Sequence, residues 1–128
     1  MKINTLTEVV IGSAIEVHRR LGPGLLESAY QECMARELSI RGVPFAREQP
    51  LPLNYKGLKL SCGYRLDFLV ANELVLELKA VDSLQPVHVA QLLTYLRLGG
   101  WKIGLLINFH AAQIKEGIRR VVLGLKES

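Results

Sequence analysis

The sequence predicts an α/β fold: helices flanking a mixed sheet, in the order ααβββαβα, forming one domain over residues 1–128. Three observations predict it. Two N-terminal segments carry apolar residues at helical spacing. The middle of the chain alternates strand formers with turn signals. A later segment, "WKIGLLINF", is nearly continuous in apolar residues and follows a helix-patterned stretch.

The first helix is expected over residues 5–21, where Leu6, Val9, Val10, Ala14, Val17 and Leu21 share one stripe. Thr5 and Glu8 have capping-box spacing at its start, and "GPG" at 22–24 ends it. A second helix starts near Leu25, carries Leu26, Tyr30, Met34 and Leu38 on one face, and stops at Gly42. "FAREQPLPLNY" holds a first strand, which Pro50 and Pro52 assign to a sheet edge. Tyr55-Lys56-Gly57 is a turn. "LKLSCGYRLDFLV" and "ELVLELKAV" supply the next two strands, joined through Ala71-Asn72-Glu73. A helix over 86–98 has Pro86 in its first turn and Gly99-Gly100 at its end. "WKIGLLINF" follows as a strand buried on both faces, and Ile114, Ile118, Val121, Val122 and Leu125 mark a last helix.

Apolar residues make up 49% and charged residues 22%, the balance of a soluble globular protein. No apolar run approaches the roughly 20 residues of a membrane span, and "MKINTLTEVVIG" lacks the pattern of a signal peptide, so the expected location is cytoplasmic. A net charge of +4 permits a polyanionic partner without demanding one. Cys33 and Cys62 stand alone, which disfavours a zinc or iron–sulfur ligand set and reads as two small buried thiols.

Three charges sit where a core strand would carry aliphatic residues: Asp67, Glu77 and Lys79. An unpaired buried charge costs several kcal/mol, so the placement needs a reason. A three-residue loop at Ala71-Asn72-Glu73 pairs Val70 with Leu74 and Phe68 with Leu76, and sets Asp67 opposite Glu77. A two-residue loop would set Asp67 against Leu78 and drive a charge into an apolar face, so register favours the first. Opposed residues have Cβ atoms about 4.5–5.5 Å apart, and two carboxylates that close require a proton, a lysine or a divalent cation between them. Lys79 shares the face of Glu77. A cation on the acids with a lysine beside them suits phosphodiester hydrolysis. A structural salt bridge between Lys79 and one acid is the plainer alternative.

Other polar residues point the same way. Glu27 stands beside the apolar stripe of the second helix, at its N-terminal end, where an acid also suits the helix dipole. His88, Gln91 and Tyr95 share a polar face of the 86–98 helix, opposite Val89, Leu92, Leu93 and Leu96; periodicity alone would leave Gln91 and Tyr95 in solvent.

Asp67 with "ELK" at 77–79 resembles the PD-(D/E)xK nuclease superfamily, the restriction-endonuclease-like fold with its αβββαβ core. "GLLESAY" at 24–30 resembles the G-x-x-E-x-x-Y signature of the GxxExxY proteins within it. "QLLTY" at 91–95 resembles the Q-x-x-x-Y motif of its RecB-like and lambda-exonuclease-like branch. The resemblance spans residues 5–123. It implies that Asp67 and Glu77 ligate Mg²⁺ or Mn²⁺, with the Leu78 carbonyl as a further ligand, and that Lys79 serves the nucleophilic water. Glu27 would complete the metal site, directly or through water. Gln91 and Tyr95 would orient Lys79, the metal waters or the scissile phosphate. His88 lies outside the pattern and is at most a phosphate contact. The proline usually found before the first acid is replaced by Leu66.

The implied activity is a Mg/Mn-dependent nuclease acting on nucleic acid, with DNA the expected substrate. The alternative is an inactive nucleic-acid-binding or complex-assembly module. A homo-oligomer or a partner subunit would supply what a chain filled by its catalytic core lacks, and "WKIGLLINF" and the 121–125 segment are apolar enough to contribute.

Overall fold

A computed structural model describes residues 1–60 and 64–124. The first helix, α1 (Ile3–Leu21), begins two residues before the expected start, behind Lys2. Thr5 and Glu8 therefore fall inside it, and the expected capping box does not form. Leu6, Val10, Ala14 and Val17 are buried as their spacing requires. The second helix, α2 (Glu27–Ile40), buries Tyr30, Met34 and Leu38. Cys33 is a half-buried free thiol rather than a fully buried one, and Cys62 lies outside the described residues.

The segment read as one edge strand is two. β1 (Phe45–Pro50) pairs at the edge of the main sheet, as its prolines demand, while β2 (Leu53–Tyr55) turns through Lys56-Gly57 onto β3 (Leu58–Leu60) in a separate two-stranded hairpin. "LKLSCGYRLDFLV", expected as one strand, likewise holds two, β3 in the small hairpin and β4 (Arg65–Val70) in the main sheet. β4 and β5 (Leu74–Lys79) form the central hairpin, and α3 (Pro86–Gly99) crosses over to β6 (Ile103–Asn108). The main sheet runs β1-β4-β5-β6 and ends on β7 (Ile118–Val122). Only β5 and β6 are parallel; the other neighbours are antiparallel.

β7 stands where a last helix is expected. A 3₁₀ turn at Ile114–Gly117 precedes it, and Leu125 lies outside the described residues. The apolar spacing of this segment fits a helix, but β6 is buried along its whole length and would otherwise leave one row of backbone groups unpaired. The β-branched Ile118, Val121 and Val122 supply the missing partner. Gly117 permits the approach, since a Cβ there would stand 2.5 Å from the Asn108 carbonyl oxygen. Gly117→Ala should therefore lower stability by about 1–3 kcal/mol, read as a reduced denaturation midpoint with unchanged m.

Two cores divide the layers. α1 and α2 cover one face, over Phe68, Val70, Leu76, Leu78, Leu105 and Ile107. α3 covers the other through Leu92, Tyr95 and Leu96, against Leu69, Val75, Leu106 and Val121. "WKIGLLINF" is thus spent on the interior, as β6 buried on both faces, and is not a self-association surface. Among the described residues, no helix is long and apolar enough to cross a membrane.

Candidate active site

The hairpin between β4 and β5 takes the register that puts the acids together. Ala71 and Asn72 both adopt positive φ, 52° and 58°, and the Glu73 amide donates to the Val70 carbonyl. Val70 then pairs with Leu74, Leu69 with Val75 and Phe68 with Leu76. Beyond Phe68–Leu76 the regular ladder gives way to carboxylates. The Asp67 amide donates to Glu77 Oε2 at 2.7 Å, and the Leu78 amide donates to Asp67 Oδ2 at 2.8 Å. On the outer side of Asp67, Glu48 in β1 has φ 50°, a local distortion beside the acids. Leu66, which stands where the superfamily's proline is usual, is fully buried against the α3-side core.

Each carboxylate thus accepts a backbone hydrogen bond, yet both remain electrostatically unfavourable. Burial, and then the charge of Asp67, push Glu77 up to about 8. Burial likewise raises Asp67; the Leu78 amide opposes that rise, and the negative charge of Glu27 adds to it. Lys79 lowers both acids by its charge. It forms no ion pair within 4.0 Å with any acid among the described residues, so the salt-bridge alternative lacks its contact.

Glu27 is the first residue of α2, half-buried, on the opposite layer from α3. The loop before it is anchored by Tyr30, the last residue of the G-x-x-E-x-x-Y segment. Its hydroxyl donates to the Gly22 carbonyl at 2.6 Å and accepts from the Leu25 amide at 3.1 Å. Its ring stacks on Phe109, just beyond β6, with centroids 4.6 Å apart. Gly24 has φ 107°, a conformation that favours glycine. The spacing of glycine, acid and tyrosine thus describes one device: a turn that glycine permits, pinned by a buried phenol, presenting Glu27 at a helix start. Tyr30→Phe should cost about 0.5–1.5 kcal/mol, seen as a lower melting temperature, by releasing the two hydrogen bonds while keeping the ring stack.

On the other layer Tyr95 is buried, not solvated, packing with Leu92 and Leu96 in the α3-side core. Burial, and then the charge of Glu77, raise its hydroxyl above its ordinary value, and the Gln91 side chain opposes the rise. Gln91 is exposed at the rim. His88 is used locally instead: its Nδ1 accepts from the Gln85 amide at 2.9 Å and closes a capping box at the start of α3.

Asn108 was not singled out by sequence reasoning, although it is the one polar residue inside "GLLINF". It is buried opposite Lys79. Its Oδ1 accepts from the Val81 and His110 amides, and its Nδ2 donates to the Val81 carbonyl. The Phe109 amide donates to the Lys79 carbonyl. These bonds fix the backbone from which Lys79 projects.

The donor set fits a hard divalent cation in its chemistry: two half- to fully buried carboxyl groups whose burial and proximity raise them toward the protonated form, where a cation could take the proton's place, with the Leu78 carbonyl adjacent in sequence. Among the described residues, no three His, Cys, Asp or Glu side chains converge as a closed metal cage. The negative charge of Glu27 reaches Asp67 and raises it.

No curated protein and no solved structure matches this chain. A family model described as the PD-(D/E)XK nuclease superfamily matches residues 4–121. With the central hairpin, its opposed acids and the neighbouring lysine in the order that name specifies, the chain belongs to the PD-(D/E)XK nuclease superfamily.

Proposed function

We propose that this protein is a metal-dependent nuclease that hydrolyses phosphodiester bonds, with DNA as substrate, and that it falls among the GxxExxY proteins near the RecB-like branch. The observation that carries the reading is the buried Asp67–Glu77 pair, whose charges repel and which has no ion-paired lysine to offset them. Asp67, Glu77 and the Leu78 carbonyl would hold a Mg²⁺ or Mn²⁺ ion, which would supply Lewis-acid polarisation of the phosphate and acidify water. Lys79 orients the attacking water or faces the charge that grows on phosphate oxygens. Glu27 would add negative charge from the α2 side and complete the site directly or through water. Gln91 and Tyr95 position the phosphate from the α3 side.

A second reading has its own support. Each acid already accepts a backbone hydrogen bond, and no third acid converges on the pair among the described residues, as would suit a binding module that retains the fold without turnover. Incubation with single- and double-stranded DNA and RNA, in EDTA and then in Mg²⁺ or Mn²⁺, separates the two. Cleavage that appears only with the cation supports the nuclease. Binding without cleavage across all substrates and both cations selects the module.

A further inference from the structure

Beside the acids, on the α3 side, lies an open groove of about 350 Å³. Leu53, Tyr64, Val87, Gln91, Tyr95 and Leu98 line it. Its walls are mainly apolar although they face solvent: Tyr64 is 45%, Val87 67% and Leu98 41% exposed. Tyr64 and Tyr95 meet at a steep angle, with ring centroids 6.4 Å apart, so the two rings are not stacked on each other. Tyr95, which lines the groove, lies near enough to the acids for its hydroxyl to feel the charges of Glu77 and Asp67. A cation stands at its rim. Arg97 donates to the hydroxyl of Thr94, another lining residue, and has no acidic partner within 4.0 Å among the described residues.

An aromatic face, apolar walls and a nearby guanidinium suit one ligand chemistry: a flat heterocycle on a negatively charged backbone. A base within a duplex has both faces stacked and cannot enter such a groove, whereas an unpaired base can. We infer that this groove is a stacking subsite for an unpaired nucleobase flanking the scissile phosphate, with Tyr64 as the platform and Arg97 on the adjoining phosphate. The inference rests on the nuclease reading for its strand but concerns binding, and so specifies a single-stranded substrate or an unpaired end.

The test is fluorescence anisotropy on the full chain in EDTA, where nothing is cut, with a labelled single-stranded DNA, an RNA of the same sequence and a blunt DNA duplex. The wild-type protein should bind the single strands more tightly than the duplex. Tyr64→Ala should weaken single-strand binding at least about fivefold while leaving duplex binding unchanged, and Tyr64→Trp should restore it. Equal losses for DNA and RNA assign the groove to the base itself, and a loss for DNA alone assigns it to DNA strands. No single-strand binding, equal affinity for duplex and single strand, or an unaffected Tyr64→Ala overturns the inference. Because the exposed Tyr64 bears little core packing, melting curves of both variants should match the wild type. Cleavage assays on the same oligonucleotides keep the two readings apart. Tyr64-dependent binding without any cleavage leaves the subsite and removes the nuclease, and cleavage without strand preference does the reverse.

Discussion

Asp67→Ala is expected to abolish cation-dependent cleavage, with a rate loss of at least about 10³-fold, and Lys79→Ala to cost about 10²–10³-fold. The two losses have different origins. Asp67 supplies half of the carboxylate pair on which the cation would rest, so its removal should also raise the Mn²⁺ concentration needed for half-maximal activity. Lys79 touches neither acid directly and only lowers both by its charge. Its removal should lower the maximal rate with little change in cation requirement. Initial rates across a Mn²⁺ titration, with circular dichroism confirming the fold, check both expectations. Activity that persists in both variants belongs to a contaminating enzyme.

The second expectation concerns stability and needs no substrate. Glu77 titrates near 8 in the folded chain and at about 4.5 when solvated. Between those values the native state holds a proton that the unfolded state has lost. The free energy of unfolding therefore falls as pH rises through the window from about 4.5 to about 8, and is flat on either side. Asp67, raised by the same burial, adds to the slope. Glu77→Gln keeps the shape of the side chain and removes the charge. It should leave stability at pH 5 nearly unchanged and raise it at pH 8 by roughly 1–3 kcal/mol in EDTA. Mg²⁺ or Mn²⁺ should stabilise the wild type more at pH 8 than at pH 5, because the cation competes with protons for the same oxygens, and should have little effect on Glu77→Gln. Denaturant melts at the two pH values, with and without cation, read this directly. A wild-type stability that rises between pH 5 and 8 in EDTA would contradict the buried-pair electrostatics.

These expectations depend on features of unequal legibility in the sequence. The opposition of Asp67 and Glu77 followed from alternation and loop length alone, because a one-residue slip would have placed a charge among Leu and Val, and the observed register is the one that avoids it. The burial of β6 on both faces was equally plain from its unbroken apolar run. The last helix failed for the opposite reason. Its apolar spacing is compatible with a helix, and what made it a strand is the unpaired edge of β6, a demand from outside its own sequence pattern. Tyr95 failed in the same way. Helical periodicity grouped it with Gln91, while the packing of α3 on Leu69, Val75 and Leu106 turned its ring inward and left Gln91 at the rim.

By itself, the sequence determined the α/β class, the two N-terminal helices, the helix that leads into β6, the edge position of β1, the central hairpin and its register, and the charged residues that the hairpin brings together. Those features follow from nearest-neighbour chemistry: periodicity, turn residues and the cost of burying charge. Tertiary structure alone decided that β7 closes the sheet, that Asn108 braces the backbone beneath Lys79, that Tyr30 pins the turn before Glu27, and that Tyr64 and Tyr95 open a groove beside the acids. Apart from the local hydrogen bonds of Tyr30, each of these is a contact between residues distant in the chain. Such contacts are set by which backbone groups and ring faces remain unsatisfied once the local elements have formed, and that quantity exists only after the layers have packed.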